Sequence, residues 1–395
     1  MENLCKRFPH LAGAIFDQVD EPSLNICKEI SGDVLEFLDN ERFFWIRMIK
    51  KYQRRLKDFP KLWKPVVDKT SVEKLKEIAI AVSRFFQVRH LYSHRLFVRR
   101  RKWSLIAISA HQGDLALLQF IVNKIKLKNI RKSERITALF LAASKGHLEI
   151  YDLLTRKLRD KNPGNTSLLN EWGRTPLHWA ANNGHFGVCK LIIDGTSNKN
   201  PAEIKNDRST PLHWAAYNGH VEVCKLIMDN ITDKNPVNGY LGETPFHCAA
   251  KQGHLAVCKL FMDNITDKNP ADGYLGETPF HCAAKKGHLA ICQLMVENLS
   301  DKNPASKANR LTPLHYAADA GHVEICKLIM ENLVNKNPSC LNKSTPLSLA
   351  MNNGKSEVCQ LFHQFKRCGL CKGQPVDWRS PEICEHITLW YRNIS

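Results

Sequence analysis

From Thr210 the chain reads Thr-Pro-Leu-His-Trp-Ala-Ala-Tyr-Asn-Gly-His-Val-Glu-Val-Cys-Lys-Leu-Ile-Met, and its apolar positions fall into two short series separated by a glycine. Thr210 has the side chain of a helix N-cap. Pro211 suits the first helical position, where its missing N–H costs nothing, and Leu212 opens an apolar face. Ala215 and Ala216 are small enough for another helix to lie close, and Gly219 suits the left-handed residue that ends a helix. The first helix is therefore about two turns long. From His220 onward, Val221, Val223, Cys224, Leu226, Ile227 and Met228 recur at near-helical spacing and predict a second, more apolar helix. Asn235-Pro236 breaks it, because the residue before proline is pushed out of the helical region. Residues 237–243 then form a glycine-bearing loop that projects as a hairpin tip.

The same pattern starts again at Thr175, Thr244, Thr278, Thr312 and Thr345, with weaker copies at Ser104 and Thr137. Start to start, the spacings are 33, 38, 35, 34, 34, 34 and 33 residues. A helix pair this short cannot bury its apolar face alone, but stacked copies bury a continuous core. The recurring Thr-Pro-Leu-His-x-Ala motif resembles that of ankyrin repeats, over about residues 103–362. The resemblance implies an all-α, ankyrin-repeat solenoid of about eight helix-turn-helix units with short hairpin loops. Each unit from the second to the seventh also carries Lys-Asn-Pro, at Lys161, Lys199, Lys234, Lys268, Lys302 and Lys336. This exceeds the family minimum, and the second helix is expected to run a turn longer. The glycine before the motif, Gly173, Gly242 and Gly276, becomes Arg208 and Arg310 elsewhere, so those tips are expected to differ in conformation. The last unit has Ser348 in place of histidine and polar Asn352, Asn353, Lys355 and Glu357, as a terminal capping repeat needs. The units starting at Thr244 and Thr278 are nearly identical, each preceded by Gly-Tyr-Leu-Gly-Glu, which suggests tandem duplication.

Two histidine series recur in register: His178, His213, His247, His281 and His315, and His185, His220, His254, His288 and His322. By the resemblance the first series hydrogen-bonds within the repeat, and both are scaffold rather than metal ligands or catalysts. Positions that vary between copies are the candidates for binding. In ankyrin repeats the two residues after Ala-Ala and those at the hairpin tip line the concave surface. Carried onto this chain they are Asn182-Asn183, Tyr217-Asn218, Lys251-Gln252, Lys285-Lys286 and Asp319-Ala320, with Trp172, Tyr240-Leu241 and Tyr274-Leu275 at the tips. Aromatic residues of this kind anchor protein interfaces. Alternatively, Tyr240-Leu241 and Tyr274-Leu275 cover one another between hairpins. No phosphate-cradling glycine loop, His-Glu-x-x-His, Gly-x-Ser-x-Gly or kinase signature is present, so no enzyme and no cofactor is expected.

Charge divides the rest of the chain. The whole carries +18 over 395 residues, yet residues 1–46 hold four Lys/Arg against nine Asp/Glu. Their apolar series, broken by Asp20-Glu21-Pro22-Ser23, predicts a small helical block. Its order, Phe8-Pro9, then Ile15-Phe16, an Asp-rich turn and Cys-Lys-Glu-Ile-Ser before Trp45, resembles an F-box. The resemblance implies docking of a Skp-type adaptor of a cullin-RING ubiquitin ligase through Phe8, Pro9, Leu11, Ile15, Phe16 and Leu24. The alternative is a helical block that only caps the stack. Residues 47–102 invert the charge, with 18 Lys/Arg against four Asp/Glu. They predict an amphipathic helix through Val72, Leu75, Ile78, Val82 and Phe86, a basic linker or cap for the first repeat. There Arg99-Arg100-Arg101-Lys102 suits a nuclear-import signal, or nucleic acid or another polyanion, if it is not simply a solvated hairpin tip.

Cysteine usage fits a reducing compartment. Cys189, Cys224, Cys258, Cys292, Cys326 and Cys359 occupy one place per repeat in the second helix. Neighbouring copies fall roughly 10 Å apart, beyond disulfide reach. In the tail, residues 363–395, Cys368-x-x-Cys371 with Cys384 and His386 could close a zinc site, though the last pair is tightly spaced. The alternative is a tail that folds over the last repeat through residues such as Trp378, Leu389 and Trp390. No apolar run of 18 residues and no signal peptide is evident, so a cytoplasmic or nuclear protein without membrane partners is expected.

Overall fold

A computed structural model of the chain describes residues 105–124, 132–158, 169–170, 173–204, 207–239 and 241–365. Among these residues there are sixteen helices and no strand. The chain divides into two compact units, Met1–Tyr274 and Leu275–Ser395. The first unit contains α1 (Leu105–Gln112), α2 (Leu115–Lys124), α3 (Lys132–Lys145), α4 (Leu148–Leu158), α5 (Pro176–Asn182), α6 (Phe186–Asp194), α7 (Pro211–Tyr217), α8 (Val221–Met228), α9 (Pro245–Gln252) and α10 (Leu255–Asn264). The second contains α11 (Pro279–Lys286), α12 (Leu289–Asn298), α13 (Pro313–Ala320), α14 (Val323–Glu331), α15 (Pro346–Asn352) and α16 (Ser356–Phe365).

Within each unit the helices form two rows. The first helix of a repeat packs on the first helix of the next, and second helix on second helix. The Ala-Ala pairs permit the close approach. Ala180, Ala181, Ala215, Ala216, Ala317 and Ala318 are all fully buried. Between the two rows lies an apolar layer, which includes Leu177, Ile192, Leu212 and Ile227 in the first unit and Leu314 and Ile329 in the second. In α9 and α10 two phenylalanines take these places, and the rings of Phe246 and Phe261 stack with centroids 5.5 Å apart.

Both histidine series tie one repeat to another. Nδ1 of His178 accepts the Thr175 backbone N–H at 3.0 Å. The ring proton therefore sits on Nε2, which donates to the Ser209 carbonyl of the next repeat at 3.2 Å. His213 does the same with Thr210 and Glu243, and His281 with Thr278 and Leu311. The second series reaches backwards. Nε2 of His185, His220 and His254 meets the carbonyls of Ser144, Asn182 and Tyr217 at 2.9–3.0 Å. That contact explains the glycine of the preceding repeat's helix turn. Gly146, Gly184 and Gly219 have φ of 73–78°, and a Cβ on any of them would fall 2.5–2.6 Å from the following repeat's histidine ring.

Two sequence expectations are overturned. Lys-Asn-Pro does not lengthen the second helix, which ends before it. It is a clamp instead. Lys199, Lys268, Lys302 and Lys336 turn back so that Nζ donates to the carbonyls of Ile193, Met262, Val296 and Met330, filling acceptors that the helix end leaves open. The adjacent asparagines look forward. Oδ1 of Asn200, Asn235, Asn303 and Asn337 accepts the N–H of Leu212, Phe246, Leu314 and Leu347 at 3.0–3.2 Å, the second residue of the following first helix. Nor do the arginine-bearing tips differ from the glycine-bearing ones. Arg208 and Arg310 have φ 58° and Lys343 has φ 62°, in the same left-handed region as Gly173, Gly242 and Gly276. The tip's own bonds hold them there. The residue opening the turn donates to the carbonyl just after the left-handed residue, Glu203 to Ser209 at 3.0 Å, Ser306 to Leu311 at 2.8 Å and Cys340 to Ser344 at 2.9 Å.

In the last repeat Ser348 keeps only the local half of the histidine's role, accepting the Thr345 N–H at 2.8 Å. No described atom lies within 4 Å of a Cβ built on Gly354. The second-helix cysteines Cys189, Cys258, Cys292 and Cys326 are free and buried, and burial pushes each thiol up to about 12. They are inert core fillers.

Candidate protein-binding surface

On one face of the first-helix row, Arg174, the residue before a motif threonine, lies against Trp179 and Trp214, each the residue after a motif histidine, and in the second unit Glu277 meets Tyr316 in the same way. In the first unit this face is built over a buried carboxylate. The Glu203 side chain is wholly inaccessible, and its Oε1 accepts both Arg174 Nε and Trp214 Nε1 at 2.8 Å. The Arg174 guanidinium then lies over the Trp214 ring, 4.4 Å from its centroid, and 5.9 Å from that of Trp179. Charge balance at Glu203 thus fixes a cation between two half-buried indoles. Tyr217 follows Trp214 by three residues on the same helix face and is 47% exposed.

The second unit builds its version from a tyrosine. The Tyr316 hydroxyl donates to Glu277 Oε1, Lys285 Nζ stands 4.8 Å from the Tyr316 ring centroid, and the His281 ring meets it edge-on. Burial first, then the Glu277 carboxylate, raises the Tyr316 phenol well above its ordinary value, so it remains a donor.

The sequence-derived positions separate into five groups. Asn183 and Asn218 are committed to the scaffold. The Asn183 amide donates to the Ser144 carbonyl at 2.9 Å, and Asn218 donates to Asn182 Oδ1 at 3.0 Å and to the Trp214 carbonyl. Lys251 pairs with Glu243 at 3.1 Å, Lys285 covers Tyr316, and half-buried Asp319 accepts from Asn353. Leu241 and Leu275 are half-buried, and their carbonyls take the N–H groups of Gly273 and Ala308. Tyr217, Gln252, Tyr274 and Lys286 are exposed, Tyr274 to 66%. Trp172 and Tyr240 lie outside the described residues, as do Phe8, Pro9, Leu11, Ile15, Phe16, Leu24, the cations Arg99, Arg100, Arg101 and Lys102, and the tail set Cys368, Cys371, Cys384 and His386.

Sequence reasoning passed over Arg174, Trp179, Glu203, Trp214, Glu277 and Tyr316. The signal was present, because the x of Thr-Pro-Leu-His-x-Ala runs Trp, Trp, Cys, Cys, Tyr from repeat to repeat while its neighbours stay fixed. Among the described residues no group of His, Cys, Asp and Glu could hold a metal ion, and no helix is long and apolar enough to cross a membrane.

The family profile for ankyrin repeats matches residues 104–200, 158–238, 227–306 and 298–369. An ankyrin repeat protein of Acanthamoeba polyphaga mimivirus is 26% identical over 115 residues, an overlap covering 26% of this chain. The chain spans only 14% of that relative's length. The paired helices, the interlocking motif and these matches agree, and the chain belongs to the ankyrin-repeat family, whose repeats bind protein partners.

Proposed function

We propose that this chain is a non-enzymatic receptor that grips a partner protein on the first-helix face of its repeats. The Arg174–Trp179–Trp214–Tyr217 cluster carries the proposal, because it places aromatic and guanidinium surface over a buried carboxylate that rigidifies it. Such groups supply most of the energy at protein interfaces, and those held in place in advance lose less entropy on binding. The test is affinity capture with the full chain carrying Trp179→Ala and Tyr217→Ala beside a Lys190→Ala control on α6. Proteins retained by the control and lost by the double variant are expected. An identical set from both would remove this face as the binding surface.

The residue order of the N-terminal 46 residues supports a finer reading, in which a Skp-type adaptor and cullin dock there and the bound protein becomes a ubiquitination substrate. Pro9→Ala with Ile15→Asp should abolish adaptor recovery from cell extract and leave partner capture intact. Recovery of no adaptor by the unmodified chain would leave a pure ankyrin scaffold.

A further inference from the structure

Among the described residues, the three non-glycine positions with left-handed backbone are Arg208, Arg310 and Lys343, all cations, at the tip position that other repeats give to glycine. A non-glycine residue there is strained, and strain retained where glycine would relieve it points to a side chain that is used. In the second unit two of these cations fall together. Arg310 and Lys343 occupy successive tips joined by the Leu341 N–H to the Asn309 carbonyl at 3.1 Å. Lys307 belongs to the first of those tips, packed under Gly276. The tip also borders the first-helix row, since the Leu311 carbonyl beside Arg310 accepts from Nε2 of His281 on α11 at 3.0 Å.

Charge in this unit is segregated. On the tip and first-helix side Lys285, Lys286, Lys307, Arg310 and Lys343 are exposed, whereas the acids there, Glu277 and Asp319, are buried or half-buried and hydrogen-bonded. On the second-helix side Glu297, Asp301, Glu324, Glu331 and Glu357 are exposed with Lys327. No described carboxylate forms an ion pair with Lys286, Lys307, Arg310 or Lys343.

We infer that the tip face of the second unit is a docking site for an extended, acidic segment of the partner protein. The inference rests on the protein-binding function proposed above and names the chemistry of the partner. Successive repeats lie roughly 10 Å apart and an extended strand advances about 3.3 Å per residue, so acids three residues apart would meet successive tips. Leu341, 61% exposed between these cations, offers an apolar contact for a residue between the acids. A single-stranded nucleic acid is less well served. Bases need an aromatic platform, and the Tyr316 ring is covered by Lys285 with its hydroxyl held by Glu277.

The test uses the full chain and a fluorescein-labelled peptide of four Glu-Leu-Ser repeats, read by anisotropy. The site variant is Lys307→Ser, Arg310→Gly, Lys343→Gly, and the control, of equal charge change, is Lys225→Ser, Lys259→Ser, Lys327→Ser on the second helices. The site variant should weaken the peptide at least tenfold, and the control less than twofold. The glycines relieve backbone strain, so a melting temperature at or above the parent's separates lost binding from lost folding. Equal weakening by both variants, or no weakening by either, overturns the site. A labelled oligothymidine that binds more tightly than the peptide and is released by the site variant overturns the acidic-peptide assignment. Either failure leaves the capture experiment with Trp179→Ala and Tyr217→Ala unaffected.

Discussion

The glycine that ends each first helix is held by two constraints of different size, which one pair of substitutions separates. At Gly219 an alanine meets both the left-handed backbone, φ 78°, and the His254 ring at 2.5 Å. At Gly354, φ 65°, it meets the backbone constraint with no described atom within 4 Å. Gly354→Ala should cost about 1 kcal/mol, the left-handed penalty alone. Gly219→Ala should cost about 3 kcal/mol or more, because a clash with a half-buried ring that is hydrogen-bonded to the Tyr217 carbonyl is added. Urea unfolding of the two variants gives the comparison, and equal costs would mean that the histidine moves aside freely. The pairing of glycine with histidine was legible in the sequence only as co-occurrence. Its cause, contact between the glycine of one repeat and the histidine of the next, needs the stack, because the two residues are about one repeat apart in sequence.

At the scale of the helix and its loop, Lys-Asn-Pro shows where pattern reading fails. Lysine and asparagine extend a helical pattern plausibly, but the carbonyl taken by each lysine lies six residues back and the N–H taken by each asparagine lies ten to twelve residues ahead. A local window sees neither partner. Asn235→Ala should therefore cost about 1 kcal/mol, the magnitude of a lost helix N-terminal cap, although Asn235 belongs to the loop of the preceding repeat. An unfolding midpoint equal to the parent's would reduce the clamp to a geometric coincidence. The tips teach the converse. Sequence suggested that Arg208 changes the turn, yet the turn imposes its geometry on Arg208. Arg208→Gly should raise stability by about 1 kcal/mol, measurable as a higher melting temperature, and a lower one would show that the arginine contributes more than its strain costs.

For the chain as a whole, the buried histidines set the response to pH. Burial lowers His178 to about 3 and His213 to about 4 from the ordinary 6.5, and it lowers His315 and His185 as well. The unfolded chain therefore takes up protons before the folded one. Stability is complete above about pH 7 and falls as pH drops from 6.5 towards 4 and 3. For His213 alone the loss at pH 5 is about 2 kcal/mol, and His178, lowered further, adds its own share. Denaturation midpoints at pH 7.5 and pH 5 should differ accordingly, whereas a pH-independent midpoint would mean that the histidines protonate without leaving their bonds. Fold and repeat register were readable from sequence, because each unit states its own caps and apolar face. The binding face was half readable. Exposed Tyr217 and Tyr274 stand out as variable positions, but the Arg174–Glu203–Trp214 cluster draws on two neighbouring repeats and becomes visible only when they stack.

The interlock between glycine and histidine has a consequence for how such a chain changes over generations. The repeats that contribute Gly146, Gly184 and Gly219 each carry a socket for the histidine of the repeat that follows, and His185, His220 and His254 are the matching plugs. A copied repeat inserted at the same phase arrives with both halves of the joint already matched, whereas an insertion out of phase breaks two joints at once. Duplication of whole units is thus a nearly silent mutation for the scaffold, and the near-identity of the units starting at Thr244 and Thr278 is the mark such an event leaves. Divergence afterwards at the exposed first-helix and tip positions can then diversify what is bound without renegotiating what holds the chain together.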